Sequence, residues 1–334
     1  MTILVTGAAG FIGYSLAARL LRDGESVFGI DNLCPYYDVS LKQARLGLLQ
    51  QCSGFRFQHI DIADRAAMEA LFASERFDTI VHLAGQAGVR YSLEQPLTYV
   101  DSNLVGFAHI LEGARAQRVR HLLFASSSSV YGANRKLPFS ETDNVDHPIT
   151  LYAATKKSNE LTAHSYAHLF GIPSTGLRFF TVYGPWVRPD MALYKFARAI
   201  TAGEKVPVFN AGRMVRDFTY IDDAVEAVVR LIERPPAAGA GSADENITGA
   251  PYRVFNIGNG RPIELLDYVR TLERCFGRKA QLELLPMQPG DMEATLADIS
   301  RLEQAIAYRP ATPLEEGVGK FVEWYTAYHN LARL

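Results

Sequence analysis

At the start of this chain an apolar strand, Thr2-Ile3-Leu4-Val5-Thr6, runs straight into three glycines spaced GxxGxxG in Gly7-Ala8-Ala9-Gly10-Phe11-Ile12-Gly13. Strand, turn and helix in that order make a cradle for a pyrophosphate. Gly7 permits the tight turn and Gly10 lets backbone approach a phosphate. Gly13 lets the following helix pack on the strand, so that its N-terminal dipole faces the anion. Ile12, Leu16, Leu20 and Leu21 share one face of that helix, and Asp23-Gly24 ends it. A second strand, Ser26-Val27-Phe28-Gly29-Ile30, leads to Asp31. A carboxylate there accepts hydrogen bonds from a ribose diol and repels a 2′-phosphate. The pattern predicts a dinucleotide site that takes NAD rather than NADP. The competing reading, three chance glycines in a turn, leaves the strand, the helix and the acid unexplained.

A chain of 334 residues suits one large domain or two intimately packed ones. A formal charge of -2 predicts neither nucleic acid nor an anionic membrane as partner, while leaving room for a local basic pocket for a phosphorylated ligand. With a strand beginning at Thr2 and no long apolar run later, the expectation is a cytoplasmic protein with no secretory leader and no membrane span. Cys34, Cys52 and Cys275 are odd in number and lack metal-ligand spacing, so unpaired thiols are expected and no metal site.

Strands and helices alternate through the first half. Phe55–His59 precedes a helix near Ala66–Ser74; Thr79–Ala84 precedes one over Thr98–Ala116; Arg120–Ser126 precedes one over Tyr152–Phe170; Ser174–Phe180 follows. Such alternation implies right-handed crossovers and a parallel sheet. Leu161, Ala163, Tyr166 and Leu169 are the candidate packing residues of the last helix. Beyond it the pattern loosens into a helix over Met191–Ala202, short strands near Val206–Asn210 and Asp217–Tyr220, and a Pro/Gly/Ala-rich surface loop over Pro235–Pro251. The fold class is α/β, a Rossmann-type doubly wound parallel sheet with a smaller α/β C-terminal substrate-binding lobe. Residues 1–177 are expected to form the dinucleotide domain, with 217–234 returning to it, and 178–334 mainly the lobe.

Tyr152 and Lys156 stand four residues apart on a predicted helix, hence on one face. A phenol near pKa 10 is a poor base at neutral pH, and lowering it by about three units requires roughly 4 kcal/mol of preferential phenolate stabilisation. A lysine ammonium and a nicotinamide cation can supply that together. The strand end Phe124-Ala125-Ser126-Ser127-Ser128-Ser129-Val130-Tyr131-Gly132 offers four hydroxyls at the carboxyl edge of the sheet. Ser127 is the best placed to share a substrate proton with Tyr152. Local hydrogen bonding within the turn is the competing use of those serines. His82, in an apolar strand, reads as a core residue.

The three-glycine turn, Asp31, the SSSSVYG strand end and the Tyr152/Lys156 pair together resemble the extended short-chain dehydrogenase/reductase superfamily, in particular its NAD-dependent nucleotide-sugar epimerases and dehydratases. Several stretches look like the UDP-glucuronate 4-epimerases within it. They are Asp31-Asn32-Leu33 with Tyr36 to Lys42, Gln86 to Ser92, Arg178 to Trp186, Arg188 to Ala192 and Arg216 to Asp223. The likeness runs nearly end to end. Members usually carry glycine where Val187 stands and a polar residue at Cys34 and Pro35.

The resemblance implies C4 epimerisation of UDP-glucuronic acid to UDP-galacturonic acid through a transient 4-keto sugar. Tyr152, Lys156 and Ser127 would be catalytic. Gly7, Gly10, Phe11, Ile12, Gly13, Asp31, Asn32, Asp61, Ile62, Ala84, Gly85, Gln86 and Lys156 would hold NAD. Ser128, Ser129, Thr181, Arg188, Arg216 and Asp291 would hold the UDP-sugar, and the helices around Thr98–Ala116 and Tyr152–Phe170 would form a homodimer interface. Alternatives that stay open are a UDP-galactose epimerase, a UDP-glucuronate decarboxylase and, from another class, an NAD-binding sensor or scaffold. Thr181, where galactose epimerases usually carry asparagine, and Gln288, where they carry arginine, weigh against the first. A 4,6-dehydratase would need a Thr/Ser-Asp-Glu triplet where this chain has Ser127-Ser128-Ser129. Arg216 beside Asp217 also reads as a plain surface ion pair, and Gly290-Asp291 as a simple turn.

Overall fold

The computed structural model describes residues 1–239, 249–288 and 290–331. Part of the predicted loop Pro235–Pro251, its residues 240–248, lies outside them. In chain order the first half runs β1 (Thr2–Thr6), α1 (Phe11–Arg22), β2 (Ser26–Asp31), α2 (Val39–Gln50), β3 (Phe55–His59), α3 (Arg65–Ser74) and β4 (Thr79–His82). Two single-turn helices follow, α4 (Tyr91–Glu94) and α5 (Pro96–Tyr99), then a π-helical turn over Val100–Val105, α6 (Gly106–Gln117), β5 (His121–Ser127), a 3-10 turn over Ser128–Tyr131, α7 (Leu151–Phe170) and β6 (Ser174–Phe179). The rest comprises β7 (Thr181–Tyr183), α8 (Ala192–Ala202), β8 (Lys205–Val208), β9 (Val215–Tyr220), α9 (Ile221–Ile232), β10 (Tyr252–Ile257), β11 (Pro262–Glu264), α10 (Leu265–Phe276), β12 (Gln281–Leu284), α11 (Ser300–Ile306) and α12 (Leu314–Tyr328).

Seven strands form one sheet in the order β10-β6-β5-β4-β1-β2-β3. β1 pairs in parallel with both β2 and β4, so the chain reverses its direction of winding there. That reversal is the topological switch point at which open α/β sheets bind ligands. Ile3, Leu4, Val5, Ile80, Val81, Leu122 and Leu123 are fully buried, as expected of central strands covered on both faces. Phe107, Ile110, Leu111 and Ala114 of α6 pack with Met68, Leu71, Ile80 and Leu122 in one core.

The chain divides into two compact units. Unit 1 is Met1–Arg135, Glu141–Phe179 and Val225–Asn256; unit 2 is Lys136–Ser140, Phe180–Ala224 and Ile257–Leu334. Within unit 2, β11, β9 and β7 form a three-stranded sheet and β12 pairs with β8. Among the described residues no helix is long and apolar enough to cross a membrane.

Three local expectations need correction. The helix predicted over Thr98–Ala116 is broken into α5, the π-helical turn and α6, because Asn103 turns its amide onto the backbone of Gln86 at 2.8 and 3.1 Å and a regular helix is widened there. The strand predicted at Val206–Asn210 ends at Val208 and gives way to a 3-10 turn in which Asn210 and Ala211 take positive φ. Leu161 and Leu169 of α7 are 59% and 66% exposed rather than packed. The buried face of α7 is instead Ala153, Thr155, Lys156, Asn159, Glu160, Ala163 and Ala167, and its polar members are bonded to Asn103, Ala125, Ser126 and Arg178.

Candidate active site

The glycine-rich turn meets the demands of a phosphate cradle. Gly7 has φ +70°, and a Cβ on it would lie 2.8 Å from the Ala84 nitrogen; one on Gly13 would lie 2.0 Å from the Gly7 oxygen. Gly10 caps α1 without any side-chain hydrogen bond, which leaves amides of the first turn available to an anion. The turn is gripped at Ala9. Its N–H donates to Asp31 Oδ2 at 3.1 Å, and its carbonyl accepts from Arg45 Nη1 at 3.0 Å.

Asp31 ends β2 beside Lys42, whose Nζ lies 3.6 Å from Oδ1. Asn32 donates to Asp61 Oδ2 at 2.9 Å, so Asp31, Asn32 and Asp61 gather at the ends of neighbouring strands. The Ile62 side chain belongs to the core, and its carbonyl accepts from His109 at 2.8 Å. Phe11 is likewise buried.

Thr6 organises the end of β4. Its hydroxyl oxygen accepts from the amides of Leu83 and Ala84 at 3.1 and 3.0 Å, so its own proton is free to go to His82 Nδ1, 2.9 Å away. His82 is then a neutral acceptor. Burial, with the Lys156 charge adding to it, pushes its pKa down to about 3. His82 is thus a core residue with a second use, holding the turn that carries Ala84, Gly85 and Gln86.

Helix α7 starts at Thr150, whose hydroxyl accepts from the Ala153 amide at 3.2 Å. One turn on, Thr155 donates to the Tyr152 carbonyl at 2.8 Å and accepts from Asn103 Nδ2 at 3.1 Å. The Tyr152 ring stands edge-on to Tyr99 with centroids 6.0 Å apart. Lys156 is buried, and its Nζ donates to the Ala125 carbonyl at 3.0 Å. Burial lowers its pKa to about 8, so the ammonium persists at neutral pH but is easily discharged. Ser127 Oγ accepts from the Ser129 amide at 3.1 Å and caps the 3-10 turn, which leaves its hydroxyl proton to be directed at a ligand. Ser126 does not serve as a ligand hydroxyl. It is buried and donates to Glu160 at 2.6 Å.

Unit 1 therefore ties Lys156, one helical turn after Tyr152, to the end of β5 two residues before Ser127, with the glycine turn and Asp31 at the carboxyl ends of β1 and β2 in the same parallel sheet. Asn103 was not singled out in the sequence; one polar residue inside a helical stretch carries no spacing signal.

Unit 2 holds a second set of predicted residues. Arg216 pairs with Asp291 at 2.8 Å rather than with Asp217, which overturns the plain Arg216–Asp217 surface pair. Asp217 is fully buried and accepts from the amides of Asn259, Gly260 and Ala297 at 2.7, 2.9 and 3.1 Å. Burial lowers the pKa of Arg216, with Asp291 opposing the shift. Arg188 grips Asp190 through two bonds of 3.0 and 3.1 Å. Burial raises the Asp190 pKa, but Arg188 outweighs it and the net shift is downward. Val187, between Trp186 and Arg188, is fully buried. Thr181 opens β7 and is partly exposed.

A glycine turn at a sheet switch point, an acid closing β2 and a Tyr/Lys pair beside a serine turn define a dinucleotide-dependent enzyme of the short-chain type. The sequence matches the NAD dependent epimerase/dehydratase family over residues 3–258, and the chain belongs to that family. It is 52% identical over 337 residues to a probable UDP-glucuronate 4-epimerase of Rhizobium meliloti, covering 99% of each chain. Among solved structures it is similar to the UDP-glucuronic acid 4-epimerase of Bacillus cereus in complex with UDP-glucuronic acid and NAD, with TM-score 0.88 and 32% identity over 98% of this chain and 100% of that one. A UDP-glucose 4-epimerase of Thermotoga maritima with UDP-glucose aligns with TM-score 0.86 and 30% identity, over 98% and 100% of the two chains.

Proposed function

We propose that the chain is an NAD-dependent UDP-glucuronate 4-epimerase that interconverts UDP-glucuronic and UDP-galacturonic acid. The observation that carries this is Tyr152 one helical turn from buried Lys156, itself tied to β5 two residues before Ser127, in a chain whose relatives bear that name.

The glycine turn, Asp31, Asn32, Asp61 and the stretch Ala84–Gln86 would hold NAD. NAD held there would supply hydride transfer from and to C4 of the sugar. Tyr152 accepts the C4 hydroxyl proton as a phenolate and gives it back to the 4-keto sugar. Lys156 supplies the positive charge that keeps the phenolate accessible, and Ser127 donates a hydrogen bond to the reacting oxygen.

A 4-keto glucuronate is a β-keto acid, and loss of CO₂ competes with the return step. Ser128 and Ser129 hydrogen-bond the C6 carboxylate and hold it in a polar setting that disfavours its departure, a role also assigned to Thr181. Arg216 binds the diphosphate, Asp291 the uridine ribose and Arg188 the sugar.

A homodimer fits the exposed apolar residues of unit 1. Leu97 is 73% exposed, and Leu161 and Leu169 protrude from α7. Apolar side chains presented this way suit an interface in which a second copy covers them. Sedimentation of Leu161→Glu with Leu169→Glu tests this: the pair is expected to be monomeric where the native chain is dimeric.

Incubation with UDP-glucuronic acid and NAD⁺, followed by proton NMR, tests the activity. UDP-galacturonic acid without CO₂ is expected. A UDP-pentose means a decarboxylase, and turnover of UDP-galactose alone means a neutral-sugar epimerase. NAD binding without turnover means a sensor.

A further inference from the structure

Behind the serine turn lies a buried polar network that the reaction itself does not use. Glu160, one turn beyond Lys156 on α7, receives Ser126 Oγ at 2.6 Å and Arg178 through Nε and Nη2 at 2.8 and 2.9 Å. Arg178, on β6, donates on through Nη1 to the Tyr131 hydroxyl at 3.1 Å, and Tyr131 donates to Asn256 at 2.6 Å. Ser126, Tyr131, Glu160, Arg178 and Asn256 are all at most 3% exposed. Burial works against the Arg178 charge, but its bonds to Glu160 dominate and raise its pKa.

An ion pair this deep is a poor device for stability, because desolvating both charges offsets most of their attraction and an apolar pair of similar volume serves as well. What it provides is direction. Its acceptor, Glu160, takes the hydroxyl of Ser126 just before Ser127 and sits on the helix that carries Tyr152 and Lys156, while its donor, Arg178, reaches Tyr131, which closes the Ser128–Tyr131 turn. Together with the bond from Lys156 to Ala125, Glu160 gives α7 two successive attachments to the end of β5.

We propose that Glu160 and Arg178 are positioning residues for the epimerisation, fixing the Ser127–Ser129 turn against the helix that bears Tyr152. The proposal rests on the epimerase reading above. It assigns these residues no contact with sugar or cofactor, so their effect falls on the chemical step rather than on binding. A catalytic hydroxyl displaced by about 1 Å loses on the order of a hundredfold in rate.

Glu160→Gln tests the pair directly. Ser126→Ala and Tyr131→Phe each cut one link while leaving Glu160 and Arg178 paired, and they keep the test intact where the first variant fails to fold. Each is compared with the native chain for kcat and KM on UDP-glucuronic acid, and for amide hydrogen exchange over Ser127–Gly132. The expected result is a kcat at least tenfold lower with KM within twofold, and turn amides exchanging at least tenfold faster while β1 and β4 are unchanged. A kcat within twofold of native in both Ser126→Ala and Tyr131→Phe overturns the proposal. Absence of turnover by the native chain rejects the epimerase reading instead, and the exchange data then decide the lock: faster exchange confined to the turn supports it, unchanged or uniformly faster exchange overturns it.

Discussion

Lys156 Nζ donates to the carbonyl of Ala125 at 3.0 Å, which places the side chain's only formal charge between the end of β5 and the helix of Tyr152. Burial holds its pKa at about 8. The ammonium is therefore present below that pH and lost above it, and with it the support for a phenolate on Tyr152. The rate kcat is expected to fall with an alkaline limb centred near pH 8. Lys156→Arg keeps its charge beyond pH 12, so its pH profile should lack this limb even though its rate is lower. A limb unchanged in that variant would assign the titration to another group.

Under the proposed function the acid at the end of β2 would govern cofactor choice. Asp31 faces Lys42 at 3.6 Å, so removing the carboxylate frees a buried cation where a 2′-phosphate would lie. Asp31→Ser is expected to weaken NAD binding about tenfold, the loss of one charged hydrogen bond of about 1.5 kcal/mol, and to admit NADP. Equilibrium titration of each cofactor by fluorescence reads both effects, and continued exclusion of NADP would show that Lys42 cannot take over.

Thr6 serves the amides of Leu83 and Ala84 at once. Thr6→Val keeps the shape and strands the Ala84 amide and His82, while the Leu83 amide keeps the Thr6 carbonyl at 3.3 Å. Leaving buried donors unmet costs about 1–3 kcal/mol, so a drop of that size in urea unfolding is expected, together with weaker NAD binding. A variant with native stability would mean that the turn at β4 is held by other contacts.

Two buried histidines set the acid limit. Burial pushes both His82 and His121 down to about 3 from an ordinary value of 6.5. For His121, burial and the charges of Arg253 and Arg120 outweigh the Ile232 carbonyl, 3.2 Å from Nδ1, which favours the protonated ring; Nε2 meets Thr175 Oγ1 at 2.8 Å. Between pH 6.5 and 3 the unfolded chain binds protons that the folded one refuses, so stability falls as pH drops below 6.5. Down to pH 5 each histidine costs on the order of 2 kcal/mol. Unfolding free energies at pH 7.5 and 5 should differ accordingly, and His121→Asn should reduce the slope.

Much of this site was legible because its signals are local. GxxGxxG after a strand, an acid closing β2 and a YxxxK spacing each follow from the geometry of one element, and the structure places Gly7, Asp31, Tyr152 and Lys156 on the elements so predicted. What was not legible depends on contacts far apart in sequence. Asn103 bends a helix because it meets Gln86, and Ser126 turns away from ligands because Glu160 waits behind it. Leu161 and Leu169 look like core from periodicity, since an exposed apolar face carries the same spacing as one toward a core. Arg216 has a neighbouring acid in sequence yet pairs with Asp291, 75 residues away.

The most direct test of the whole account follows the hydrogen at C4. The protein, loaded with NAD⁺, is incubated with UDP-glucuronic acid carrying deuterium at C4, and the product is read by NMR and mass spectrometry. A Tyr152-driven oxidation and return of the same hydride predicts UDP-galacturonic acid that retains the deuterium at C4, with turnover lowered by 10²-fold or more in Tyr152→Phe. Product that has exchanged its label with solvent, or a labelled UDP-pentose in its place, would contradict it.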